Sequence, residues 1–250
     1  MYYNINPRLN FYKFTRKPNQ SIIKFYLEFK RPLYYFGEKL VKIYMKLMLQ
    51  MNIFSYSKIP KGPKIIVANH PTTSDPFILT TITNGQGAIL IKGILFDIPI
   101  FGRYLRWAGH IPVIQDRKRE AFESALRLLK TGITVIVFIE GDTSKFIHQL
   151  RKPKTGAIRL ALASGLPIFP VGIGVKRSNI KSIRSVIKGV QEWGKWYFKG
   201  PYALTIGNPI SIKGNIKNKS QVEKLSSWLA GKILQLEKES TGRLESQGDF

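Results

Sequence analysis

The chain has 250 residues, enough to bury a full core in one α/β domain with an appendage, which makes two equal domains a poor fit. The absence of cysteine excludes disulfides, thiolate metal sites and cysteine nucleophiles, and it fits a reducing compartment. With 40 Lys and Arg against 15 Asp and Glu the formal net charge is +25, which calls for an anionic partner: a phosphate-bearing substrate, an acidic membrane or a nucleic acid.

Residues 1–20 are polar, basic and punctuated by Pro7 and Pro18, and read as an extended basic arm. They lack the apolar core and cleavage site of a signal peptide. No later run reaches the roughly 18 consecutive apolar residues of a spanning helix, because lysines interrupt each one. The expected location is therefore the cytoplasmic face of a membrane, held peripherally. From residue 21 to 56 the pattern turns helical and is broken near Pro32, which predicts an N-terminal amphipathic helical hairpin. In its second half Phe36, Leu40, Ile43, Tyr44, Leu47, Met48 and Met51 share one face, while Lys39, Lys42 and Lys46 fall on the other. That face either packs on the protein's own core or lies on an anionic membrane surface.

After the turn signal Pro60-Lys61-Gly62-Pro63, apolar runs alternate with helical patterns over residues 60–240. Strands are expected at Ile65 to Ala68, Ala88 to Ile91, Ile111 to Ile114, Val135 to Ile139 and Ile168 to Val175. Helices are expected near Pro76 to Thr83, Ile100 to Trp107, Arg119 to Leu129 and Ala157 to Ala163. Such alternation predicts an α/β fold, a sheet with flanking helices whose function collects in loops beyond strand ends. Trp196 to Ile206 suggests late strands, and Ser220 to Glu239 a closing helix capped by Ser220 with Glu223 at its third position. Residues 241–250 read as a disordered tail.

The segment Ile65-Ile66-Val67-Ala68-Asn69-His70-Pro71-Thr72-Thr73-Ser74-Asp75-Pro76 carries the most chemistry. An apolar strand ends at Asn69-His70, and Asp75 stands where a helix should begin, so turn geometry can bring imidazole and carboxylate together. An Asp that accepts from one ring nitrogen fixes the tautomer and leaves the other nitrogen basic enough to take a hydroxyl proton. A strand-end histidine followed by an N-cap Asp would give the same spacing. His110 and His148 form no metal-ligand spacing with His70, so no metal site is expected.

The Asn69-His70-x4-Asp75 segment resembles the NHxxxxD motif of the glycerolipid acyltransferases, the family that includes lysophosphatidic acid acyltransferases. The resemblance continues through Lys92 and the run Leu95 to Gly102, through Gly109-His110-Ile111-Pro112-Val113 with Arg117, through Val137-Phe138-Ile139-Glu140-Gly141, and through Leu166-Pro167-Ile168-Phe169-Pro170-Val171. It implies a glycerol-3-phosphate acyltransferase-like mixed sheet, with His70 as the base and Asp75 as its partner. It further implies Asn69, Lys92, Arg117, Glu140 and Gly141 as substrate-binding residues, Arg117 toward the acceptor's phosphate. The expected reaction moves a fatty acyl group from acyl-CoA or acyl-carrier protein to a lysolipid hydroxyl, most simply 1-acylglycerol-3-phosphate, with no cofactor.

The family's third block usually reads Pro-Glu-Gly-Thr-Arg. Here Ile139 replaces the proline, and Thr143 stands where the arginine is expected. Either Lys145 or Arg151 substitutes, or the acceptor is a different lysolipid or one without phosphate. Two rivals remain on the sequence: a non-catalytic membrane-binding protein, and a nucleic-acid binder suggested by the charge and by aromatics among lysines from Trp193 to Tyr202. No recognised nucleic-acid motif accompanies the latter, so nucleic acid is not the expected partner.

Overall fold

The computed structural model describes residues 20–144 and 150–246, with side chains from Pro32 onward. The expected arm therefore lies almost wholly outside the described residues, as do Lys145 and His148. In place of a helical hairpin, one helix, α1 (Gln20–Met48), carries Pro32 within it and runs straight into a strand, β1 (Leu49–Ser55). Just after the proline the chain is anchored by Tyr34, which is buried, accepts from the Gly87 N–H at 2.9 Å and donates to the Thr80 carbonyl at 3.4 Å. The helical periodicity of the sequence extends past the true helix end because Met48, Met51 and Phe54 also keep three-residue steps.

The remaining elements are β2 (Ile65–Ala68), α2 (Asp75–Thr80), β3 (Gly87–Lys92), α3 (Phe101–Trp107), β4 (Ile111–Val113), α4 (Lys118–Lys130) and β5 (Thr134–Phe138). They continue with α5 (Gly156–Ser164), β6 (Ile168–Val175), β7 (Ile180–Ile187), β8 (Val190–Tyr197), β9 (Gly200–Ile206) and α6 (Lys219–Ser246). Seven strands form one mixed sheet in the order β1-β9-β6-β2-β5-β3-β4. Five of them, β6, β2, β5, β3 and β4, are parallel, and β9 joins β6 antiparallel. Helices cover both faces, as the α/β pattern requires.

The two faces have separate cores. Ile66, Ala68, Ile136 and Phe138 point to the side of α1, α2 and α3, whereas Ile65, Val67, Val135 and Val137 point to α4, α5 and α6. Burial on both sides is why β2 and β5 read as unbroken apolar runs rather than alternating ones. α6 lies close on β6 because Gly172 and Gly174 present no side chain to it: a Cβ at Gly172 would fall 2.1 Å from the Leu236 carbonyl carbon. The closing helix is capped by Asn218, whose Oδ1 accepts from the Gln221 N–H at 3.0 Å, rather than by Ser220. It continues to Ser246, so most of the segment expected as a disordered tail is helical, with Leu244 buried.

Beyond β6 the chain makes an element the sequence reading did not separate, the two-stranded antiparallel ribbon β7–β8. Its tip is Lys188-Gly189, both with positive φ (49° and 79°), the backbone that a two-residue hairpin turn needs. The ribbon leans over the carboxyl ends of the parallel strands. Thr73 and Lys195 exchange hydrogen bonds at 2.6 and 2.9 Å, and Lys92 is paired with Glu192 at 2.6 Å. Lys188 meets Asp97 at 3.1 Å.

Candidate active site

His70 sits two residues past the end of β2, on the central strand of the parallel set, where loops from neighbouring strand ends converge. Asn69 fixes that point. Its Nδ2 donates to the Ile173 carbonyl at 2.9 Å and its Oδ1 accepts from the Ile173 N–H at 2.7 Å, so the side chain extends the pairing of β2 with β6 beyond the last backbone ladder position. Both of its polar groups are thus used in the interior, where they fix the strand end that carries His70.

The imidazole Nδ1 lies 3.0 Å from Asp75 Oδ2, with the His70 side chain 13% exposed and that of Asp75 fully buried. Asp75 is the first residue of α2, not its cap; the cap position is Ser74. Its carboxylate turns back toward the preceding turn and is surrounded by donors: His70 Nδ1, the Thr72 N–H at 2.7 Å, the Thr72 hydroxyl, and the Tyr202 hydroxyl at 2.8 Å. A buried anion with a full set of donors is held in place rather than left as an uncompensated charge. Burial and the adjacent Asp75 carboxylate push the Tyr202 phenol well above its ordinary value, so it remains a donor. The imidazole itself stacks on Phe138, ring centroids 3.9 Å apart and 17° from parallel. No described residue bonds to Nε2.

Glu140 follows β5 and is 1% exposed. Oε1 accepts from the His70 N–H at 3.3 Å and from the Ser144 hydroxyl, and Oε2 accepts from the Arg151 N–H at 3.0 Å. The carboxylate therefore shapes the loop around His70. Gly141 has φ of 71°, in the region that favours glycine, and its N–H donates to the Phe138 carbonyl at 3.1 Å.

Lys92 ends β3 on the same rim but is occupied by Glu192. Arg117 follows β4 at the sheet edge, three strand spacings from β2, about 14 Å. The structure therefore brings His70, Asp75, Asn69, Glu140 and Gly141 together and sets Lys92 and Arg117 farther along the rim. His110 is structural: its Nδ1 accepts from the Ile89 N–H at 3.3 Å, and burial pushes the imidazole down to about 4. Among the described residues no cluster of His, Asp and Glu is set to hold a metal ion. A cavity of about 770 Å³ lies at the opposite end of the sheet, lined by Tyr35, Lys42, Gln86 and Ile133, and takes in none of these residues.

Three residues of the site escaped the sequence reading: Thr72, Tyr202 and Lys195. Thr72 lies inside the quoted segment, and a hydroxyl three residues before a buried Asp is a recognisable donor. Tyr202 arrives from β9, far away in the chain, and carries no local signal.

An imidazole held by a buried carboxylate above a central parallel strand places the protein among α/β proteins whose chemistry lies in the loops beyond strand ends. Residues 50–174, half of the chain, match the acyltransferase family, and the chain belongs to that family. It is 29% identical over 182 residues to the 1-acyl-sn-glycerol-3-phosphate acyltransferase of Saccharomyces cerevisiae, covering 70% of this chain and 57% of that protein. The enzyme of the same name from Pseudomonas aeruginosa is 26% identical over 127 residues, 49% of each chain. The chain thus spans about half the length of the curated relatives it matches. Its fold is similar to the crystal structure of the 1-acyl-sn-glycerophosphate (LPA) acyltransferase from Thermotoga maritima, with a TM-score of 0.60 and 24% identity over 89% of this chain and 83% of that one.

Proposed function

We propose that the protein transfers a fatty acyl group from an acyl-thioester, acyl-CoA or acyl-carrier protein, to the free hydroxyl of a lysolipid, converting 1-acylglycerol-3-phosphate to phosphatidic acid. The observation that carries this reading is the His70 Nδ1–Asp75 pair within a chain of the acyltransferase family. Asp75 accepts the Nδ1 proton and so leaves Nε2 as the acceptor. Nε2 takes the proton of the hydroxyl as its oxygen attacks the thioester carbonyl, a contribution of about 10²- to 10⁴-fold in rate. Collapse of the tetrahedral intermediate breaks the C–S bond, and the imidazolium returns the proton to the departing sulfur. The names of the relatives favour a phosphate-bearing acceptor.

The proposed setting is the cytoplasmic face of an anionic membrane, with the protein bound peripherally. No helix among the described residues is long and apolar enough to cross a bilayer. In support of surface binding, Phe36, Leu40, Ile43 and Leu47 on α1 are 59%, 51%, 46% and 74% exposed, so this stripe does not pack on the protein's own core. Exposed Lys39 and Lys46 lie beside it.

The test is thiol release from acyl-CoA or acyl-carrier protein in the presence of 1-acylglycerol-3-phosphate. The wild type should release thiol and form phosphatidic acid, and His70→Ala should lose nearly all of that activity with its melting curve intact. Undiminished turnover in the variant would remove His70 from the mechanism.

A further inference from the structure

The geometry points to Lys195, with Arg151, as the subsite that takes the acceptor's phosphate in place of the arginine replaced by Thr143. This inference rests on the acyl-transfer reading above and names how the same site recognises its acceptor.

The argument begins with distance. In 1-acylglycerol-3-phosphate the phosphate is joined through an ester oxygen to the carbon next to the one bearing the reacting hydroxyl. Its binding group must therefore lie close to His70. Arg117, three strands along the rim, and Lys92, paired with Glu192, are poorly placed for this. Lys195 is well placed. Its N–H donates to Thr73 Oγ1 at 2.9 Å, and its ammonium donates to the Ser144 carbonyl at 2.6 Å. Ser144 in turn donates its N–H to the His70 carbonyl at 2.7 Å, so one residue separates the ammonium from the histidine backbone.

The second strand of the argument is charge. Burial pulls the Lys195 ammonium below its ordinary value, and the neighbouring guanidinium groups of Arg151 and Arg177 push it the same way, against Asp142 and Glu140. Like charges converge here, yet Glu140 has both oxygens committed to the loop. Arg151 is held by Asp142 only at 3.8 Å, and its buried Nε has no partner among the described residues. A partly buried ammonium with one hydrogen bond and a guanidinium with an unmet donor together suit a dianionic phosphate, which supplies acceptors to both. Lys195 lies beyond residues 50–174, so it comes from a part of the chain that the family match does not cover.

The test uses the whole 250-residue chain, four substitutions and two readouts. Lys195→Met and Arg151→Gln should each raise the KM for 1-acylglycerol-3-phosphate, by about 10- to 100-fold for Lys195, the range of a hydrogen bond to a charged group. Neither should move the KM for acyl-CoA or for a 1-acylglycerol lacking phosphate, and Lys195→Arg should restore most of the loss. Calorimetry with glycerol 3-phosphate, done on the wild type and again in a His70→Ala background, should show binding that Lys195→Met weakens in both. A KM that rises for acyl-CoA instead would assign the cluster to the donor's phosphates and overturn the inference. Unchanged acceptor KM in Lys195→Met and Arg151→Gln would do the same. If glycerol 3-phosphate binds through these residues but no acyl transfer occurs, the acyl-transfer reading fails and the anion subsite stands.

Discussion

At the scale of single residues, the decisive group is the Asp75 carboxylate rather than the histidine it orients. The sequence spacing is compatible with an ordinary strand end and an ordinary helix cap, and only the direction of the side chain separates the two. Asp75 points back to Thr72, His70 and Tyr202, where a capping carboxylate would point forward to its own helix. Tyr202→Phe tests how much of the orientation comes from β9. The variant keeps the ring and removes one donor to a buried anion. It should lose about 1.5–3 kcal/mol of stability. It should also lower kcat while leaving the acceptor KM unchanged, as urea titration and steady-state kinetics would show. An unchanged kcat would mean that Thr72 and His70 alone hold the carboxylate. His70 and Asp75 were legible because they lie five residues apart. Tyr202 was not, because its role is created by strand order.

The elements show where local pattern suffices and where it misleads. β2, β5 and β6 were readable almost to the residue, since strands buried on both faces are written as continuous apolar runs. The ribbon β7–β8 was hidden for the opposite reason: most of its residues are exposed, so neither face imposes an alternation. Its Lys188-Gly189 turn was the one available signal. α1 illustrates a third case, in which the amphipathic pattern left two placements of its apolar stripe open and only the packing separates them. The helix packs through Tyr34, Gly37, Val41, Tyr44 and Met45, and the stripe through Leu40 and Leu47 faces outward. Leu40→Glu combined with Leu47→Glu should therefore leave the melting temperature nearly unchanged and sharply reduce sedimentation with vesicles. A large loss of stability would show that the stripe is covered by protein.

For the whole molecule, the charge of +25 is spread over lysines on many elements. In the proposed setting it acts as a long-range attraction to an anionic bilayer, worth about 1 kcal/mol for each Lys or Arg near the surface and screened within a Debye length of about 10 Å at 0.1 M salt. Sedimentation with anionic vesicles should exceed that with neutral ones and should fall as salt is raised from 0.05 to about 0.5 M, while residual binding through the apolar stripe persists. Equal binding to both vesicle types at low salt would leave the charge without this role. At this scale the composition pointed to an anionic partner, and the fold adds that cationic groups also gather beside His70.

The ribbon leaning over the strand ends has a last consequence. The base belongs to the turn after β2, whereas the cation assigned to the headgroup belongs to β8, more than a hundred residues later in the chain. The two meet through the bonds that Thr73 makes to the backbone of residue 195, which do not depend on which side chain stands there. On the proposed assignment, headgroup choice and proton transfer are written on separate segments, so a change of lysolipid would require altering the ribbon and not the turn that carries His70.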